Sequence, residues 1–245
     1  MVDGYSGRSS VRTEGFDPAV VPSLADRKDE KVYVDSVVIC KHIDETWDPV
    51  NSLFPGELAA DIDREINIVD GTPHVALLYG AHPDVDYRPA PLQKDMPGAH
   101  DFKLKKLDEG KALAGDDADL VAAFDAKIAK EKAARAFVRT PDSMRGSVNE
   151  VIKLVADLNE RLVDGRAWVC GEQYTLADVL WSVSLFRLKW LGMAFLWEGG
   201  HQLNDRAHAN VAAYCKRAFD RSSFRDGVIH WHGTPVSPNV TDYYS

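Results

Sequence analysis

The sequence predicts a mainly α protein in which a small unit of two strands and one helix precedes an all-helical bundle. Residues 20–24 and 31–35 are short runs rich in β-branched and aromatic side chains, separated by the charged turn 26–30, the pattern of a hairpin. From Leu58 onward apolar residues instead recur three and four apart, the period of helices with one buried stripe. Strands are segregated from helices along the chain, which argues two domains.

The elements follow in order. The first fifteen residues are polar, rich in Gly and Ser, and read as irregular. Val20-Val21-Pro22-Ser23-Leu24 supplies the first strand and Lys31-Val32-Tyr33-Val34-Asp35 the second. Ser36 is placed to N-cap a short helix in which Val38 or Ile39 shares a face with Ile43. Two prolines within 48–56 mark a linker. Leu58, Ile62, Ile66 and Val69 then form one helical stripe, which Gly71-Thr72-Pro73 interrupts. Thr72 can cap there and Pro73 suits the first position of a new turn, so 74–79 continues beyond a kink. Residues 82–96, with Pro83, Pro89, Pro91 and Pro97 in or beside them, read as loop. A helix over 117–139 turns Leu120, Phe124 and Ile128 to one face, and another over 147–163 turns Val148, Val151, Ile152, Val155, Leu158 and Leu162 inward. At the next helix start two devices coincide: Thr175 and Asp178 have the spacing of a capping box, Tyr174 and Val179 that of a hydrophobic staple. A last helix carries Val211, Tyr214, Cys215, Ala218 and Phe219, and 231–245 is a tail. The implied organisation is a unit over 1–48, a linker over 49–56, a helical domain over 57–227 and a tail over 228–245. A lone two-stranded hairpin is marginal in water, so the first unit reads as unfinished.

Composition sets further bounds. Six Trp, eight Tyr and nine Phe in 245 residues need a core to pack in, which argues against disorder. With 29 Lys and Arg against 38 Asp and Glu the net charge is −9, opposite to what a phosphate backbone attracts, so no nucleic-acid partner is expected. Lys127, Lys130, Lys132 and Arg135 read as a solvated helix face. The most apolar stretch, 176–197, carries Arg187 and Lys189 near its middle. Each costs about 2.5–3.5 kcal/mol at a bilayer centre, which cancels the gain from its Leu, Val and Phe, so no membrane span is expected. Cys40, Cys170 and Cys215 are odd in number and form no CxxC pair or zinc spacing, which suits a reducing cytoplasm. All three read as structural. No metal is expected: His74, His82, Asp84 and Asp86, and likewise His230 and His232, fit no ligand spacing.

A strand ending in Val21-Pro22, a second strand, Asp35-Ser36 opening a helix, a linker and a helical domain containing Gly171-Glu172-Gln173-Tyr174-Thr175-Leu176-Ala177-Asp178 together resemble the cytosolic glutathione transferases. The likeness runs from about residue 15 to 227. Gly15-Phe16-Asp17-Pro18-Ala19-Val20-Val21-Pro22, Thr72-Pro73-His74-Val75-Ala76-Leu77-Leu78-Tyr79-Gly80 and Trp181-Ser182-Val183-Ser184-Leu185 are similar to the bacterial branch that reductively dehalogenates chlorinated hydroquinones.

The resemblance implies a partial thioredoxin-like unit followed by the all-α transferase bundle, glutathione as cosubstrate, a hydrophobic or halogenated aromatic substrate, and a homodimer. It implies that Val21, beside a cis Pro22, pairs with the glutathione peptide, that Ser36 receives the γ-glutamyl carboxylate, and that Asp35 meets the ligand's amino group. His74 and Tyr79 fall in the helix that lines the family's substrate pocket; a solvated His and a packed Tyr are the plainer reading. Thr175 and Asp178 are structural. The family's first strand and helix, which carry its catalytic Ser, Tyr or Cys, have no counterpart before Val21: Ser6, Ser9 and Ser10 do not match that position. The catalytic residue is therefore unknown. The expectation is weak glutathione binding and little turnover by the chain as it stands, whether it is a piece of a longer protein or a unit that has lost its front. The alternative is a non-catalytic relative that binds small molecules or serves assembly.

Overall fold

The computed structural model describes residues 22–28, 31–48, 50 and 52–230. They divide into two compact units. One takes the described residues up to 50 together with Met96–Thr140; the other takes Ser52–Asp95 and everything from Pro141 onward.

In the first unit, strands β1 (Ser23–Asp26) and β2 (Lys31–Val34) pair antiparallel, with Ser23 opposite Val34 and Asp26 opposite Lys31. Of the first strand read over 20–24, Val20 and Val21 lie outside the described residues; among those described the ladder begins after Pro22, which has no N–H to give it. Helix α1 (Ser36–Trp47) returns over the hairpin, with Val34 and Ile39 buried. Strands of four residues bury little, and a polar tether makes up the difference. His42 Nε2 lies 2.9 Å from Asp26 Oδ2, and the Tyr33 ring stacks on His42 with centroids 3.8 Å apart.

The loop read over 82–96 holds for 82–89 and fails for 90–96, which are helical. Helix α4 runs over Ala90–Leu113. Pro89 contributes only its carbonyl, which accepts from Gln93 N–H at 3.1 Å, and Pro91 falls in the first turn, where an N–H would have no partner anyway. Only Pro97 costs a bond inside the helix. In the first unit its later turns pack on α5 (Ala118–Val138): Leu104, Leu107, Phe124 and Ile128 form one core cluster. Beside it the buried Glu131 lies 2.7 Å from Lys103 Nζ, 3.5 Å from Lys127 Nζ and 3.3 Å from His100 Nε2. Arg135 pairs with Asp101. Lys127 and Arg135 are thus engaged in ion pairs, not merely solvated as the sequence suggested.

The second unit is a helical bundle. A 3₁₀ turn (Gly56–Leu58) leads into α2 (Ala59–Asp70), then α3 (His74–Tyr79), α6 (Pro141–Arg161), α7 (Leu176–Trp190), α8 (Phe195–Glu198), α9 (Ala209–Phe219) and a closing turn α10 (Ser222–Phe224) that continues over Arg225–Ile229. Ile62, Val148, Val151, Val155, Leu158, Val211 and Tyr214 are all fully buried, so the stripes read from periodicity on α2, α6 and α9 face one core, which also takes the buried Trp181 and Leu185 of α7. Helix α6 starts six residues before the sequence boundary, because its first turn, opened by Pro141, is mostly polar and gives no apolar signal. Thr72 does not cap α3 with its hydroxyl, which is buried without a partner; its carbonyl accepts the His74 N–H at 2.7 Å. Gly192, at φ 83°, lets the chain after α7 pass the Tyr87 carbonyl, which a Cβ there would meet at 2.3 Å. Among the described residues no helix is long and apolar enough to cross a membrane.

Candidate functional site

Two places hold the residues singled out by the sequence, one in each unit. In the first unit the turn from β2 into α1 is set by Asp35. Its carboxylate accepts from Val37 N–H at 2.8 Å and Val38 N–H at 3.3 Å, and its carbonyl accepts from Ile39 at 3.0 Å. Asp35, not Ser36, is therefore the N-cap, and Ser36 is the first helical residue, exposed. Asp outranks or equals Ser as a cap and adds a charge that suits the helix N-terminus, so it takes the place. The cost is visible in the backbone: Asp35 has φ 85° and ψ 134°, and among the described residues no other non-glycine has positive φ. Strain of this kind concentrates at ligand-binding turns. Pro22 is exposed, and Val21 lies outside the described residues.

Burial and the Asp35 charge raise the Cys40 pKa, and burial pushes Cys170 to about 11 and Cys215 to about 12. All three are thiols at neutral pH, whereas the attacking species is the thiolate. The His82–Asp86 segment carries no metal cluster: Asp84 is bonded to Arg145 and Asp86 to Arg88, and each arginine holds its partner's carboxyl below the usual range. No group of His, Cys, Asp and Glu poised for a metal occurs among the described residues.

In the second unit α3 and α7 bring together His74, Tyr79, Ser184 and Arg187. His74 Nε2 lies 2.8 Å from Ser184 Oγ, and Nδ1 is buried without a partner. Arg187 follows Ser184 by one turn of α7 and acts electrostatically on both His74 and Tyr79. Burial, with Arg187 beside it, depresses the His74 pKa from the usual 6.5 to about 4, so the imidazole is neutral. Val75 and Val183, each next in sequence to a member of the bonded pair, are 51% and 44% exposed. Ser184 and Arg187 were missed by sequence reasoning, although a charged residue in the most apolar stretch was the available signal.

The depressed His74 pKa has a stability consequence. The unfolded chain binds a proton here below about 6.5, whereas the fold resists it down to about 4. Its contribution is complete above pH 6.5 and is lost as pH falls toward 4, by at most about 1.4 kcal/mol per pH unit. Urea midpoints measured across this range should fall less steeply in His74→Phe than in the parent.

Away from both sites the helix start at α7 is closed as a capping box. Asp178, fully buried, accepts from Thr175 N–H at 2.9 Å and Thr175 Oγ1 at 3.0 Å, and also from Val169 N–H at 2.9 Å and the Tyr214 hydroxyl at 3.0 Å. That is structural use of every acceptor position it has.

No family model matches the chain. It is 39% identical over 240 residues to 2,5-dichlorohydroquinone reductive dechlorinase from two strains of Sphingobium indicum, an alignment that covers 98% of this chain and 68% of the relative. It is 30% identical over 98 residues to ganglioside-induced differentiation-associated protein 1-like 1 of Homo sapiens, covering 38% of this chain and 25% of that protein. The depth of the first match, carried through the hairpin, α1 and the helical bundle alike, makes this chain a member of the glutathione transferase family, in the branch of the reductive dechlorinases.

Proposed function

We propose that the protein serves glutathione-dependent reductive dehalogenation of a chlorinated aromatic compound. What carries the reading is the identity to a reductive dechlorinase across 98% of the chain. The strained cap at Asp35 supports it, because it leaves the Ser36 hydroxyl and N–H exposed at a helix N-terminus suited to a carboxylate. In this reading 1–48 is the glutathione-binding unit, 49–56 the linker and 57–227 the helical domain, with 228–245 a tail. Val21 and Pro22 pair with the tripeptide backbone, Ser36 receives the γ-glutamyl carboxylate, and the Asp35 carboxylate also meets the ammonium group. His74 and Tyr79 meet the aromatic substrate. The overall chemistry balances with two thiols. Thiolate sulfur bonds to the ring carbon and chloride leaves; a second thiolate attacks that sulfur, giving a disulfide, and the ring carbon takes a proton. Two thiols lose two electrons and the C–Cl bond becomes C–H. The residue that activates the thiol is not assigned.

Calorimetric titration with glutathione tests the first unit. Asn caps a helix as well as Asp, so Asp35→Asn should keep the fold and lose only the charge. Saturable binding is expected in the parent, weakened about tenfold or more in Asp35→Asn by loss of a charge-assisted hydrogen bond. Equal affinity of the two proteins would remove Asp35 from the ligand site. Chloride release from 2,5-dichlorohydroquinone with glutathione tests the reaction itself; binding of both compounds without chloride release would assign a non-catalytic binding role instead.

A further inference from the structure

Arg187 is a charge that the packing of the helical unit does not explain. It stands between Phe186 and Leu188, both buried, and is itself half-buried. The other arginines of this unit that are not exposed each meet an acidic or aromatic partner. Arg88 lies 2.7 Å from Asp86, Arg145 3.0 Å from Asp84, Arg161 3.5 Å from Glu65 and Arg166 2.6 Å from Asp164, while Arg221 stands 3.7 Å over the Tyr174 ring. Among the described residues no carboxylate pairs with Arg187. The groups that act on it electrostatically are Tyr79 and His74. A half-buried cation without a counter-ion costs free energy, and an anion bound beside it would recover that cost.

We infer that Arg187 binds the oxygen of an acidic halogenated phenol as its phenolate, with Val75 and Val183 offering apolar surface to the ring. The inference rests on the aromatic-substrate reading of His74 and Tyr79 and deepens it by naming the ionised form that is selected. Ring halogens withdraw electrons and make a phenol ionise readily, and a guanidinium donating to that oxygen forms a charge-assisted hydrogen bond. His74, bonded to Ser184 at 2.8 Å, holds this wall of the site in place without adding a second charge. An aryl chloride with no ionisable hydroxyl would gain only apolar contact.

The test compares 2,5-dichlorophenol with 2,5-dichloroanisole, its methyl ether, by equilibrium binding to the full chain and to Arg187→Met. The phenol should bind the parent protein about 10- to 100-fold more tightly than the ether, and Arg187→Met should abolish most of that preference. At a pH near the free phenol's own pKa, binding to the parent should shift the phenol's ultraviolet spectrum toward the phenolate band, and binding to the variant should not. The ligand pair needs no variant, so a misfolded Arg187→Met leaves the comparison intact. Equal affinities for phenol and ether would overturn the inference while leaving an aromatic site standing. Failure of both to bind would remove the aromatic-site reading and the inference with it.

Discussion

Asp178→Ala is expected to cost the helical unit about 3–5 kcal/mol, read as a fall in the urea midpoint followed by circular dichroism. Two opposing effects decide the size. Burial pushes the Asp178 carboxyl up, and its hydrogen bonds pull it down without restoring the ordinary value, so removing the carboxylate relieves a desolvation cost. Against this, alanine orphans the donors of Val169, Thr175 and Tyr214, all in a fully buried place, at about 1–3 kcal/mol each. Four orphaned donors outweigh one relieved acceptor. Asp178→Asn keeps the shape but turns an NH₂ toward two of those donors, so its loss should be about half as large. An asparagine variant as stable as the parent would show that shape, not acceptor capacity, is what the position supplies.

Glu65→Ala should be nearly as damaging. Glu65 is fully buried on α2; its Oε2 accepts from the Trp181 indole N–H at 2.9 Å. Its Oε1 lies 3.5 Å from Arg161 Nε, and the Arg161 guanidinium stands 5.6 Å from the Trp181 ring centroid. Alanine leaves the indole donor unpaired and the guanidinium without its counter-charge. Breaking a buried pair from one side costs about 3–5 kcal/mol, whereas replacing both partners by apolar groups is often neutral. Glu65→Leu combined with Arg161→Met removes the uncompensated charge but still leaves the Trp181 indole N–H unpaired, so it should recover part, not all, of what Glu65→Ala loses. Chemical denaturation of the two proteins checks this, and a double variant no more stable than the single one would contradict it.

Much of the fold was legible because its helices are amphipathic: the stripes of α2, α6 and α9 in the bundle, and of α5 in the first unit, fall where three-and-four spacing puts them. The first half of α4 was not, because its prolines read as breakers although Pro89 and Pro91 sit where a helix needs no N–H. The polar opening of α6 was silent for the opposite reason, having no apolar residue to mark the period. At the hairpin–helix turn the choice of Asp35 over Ser36 as cap lies below the resolution of spacing, since the two are neighbours and both are good caps. The polar partnerships were beyond reach: His74 meets Ser184 across 110 residues and Trp181 meets Glu65 across 116, and no local pattern encodes either meeting. Arg187 stood out in the sequence but was used only to argue against a membrane span, because its lack of a partner is a property of the folded chain.

The His42–Asp26 bridge under the Tyr33 ring makes two individually feeble elements into one opening unit. Four-residue strands fray readily, and a twelve-residue helix is marginal on its own. With a buried side chain of each pinned to the other, the backbone amides of hairpin and helix become accessible to solvent in a single event rather than two.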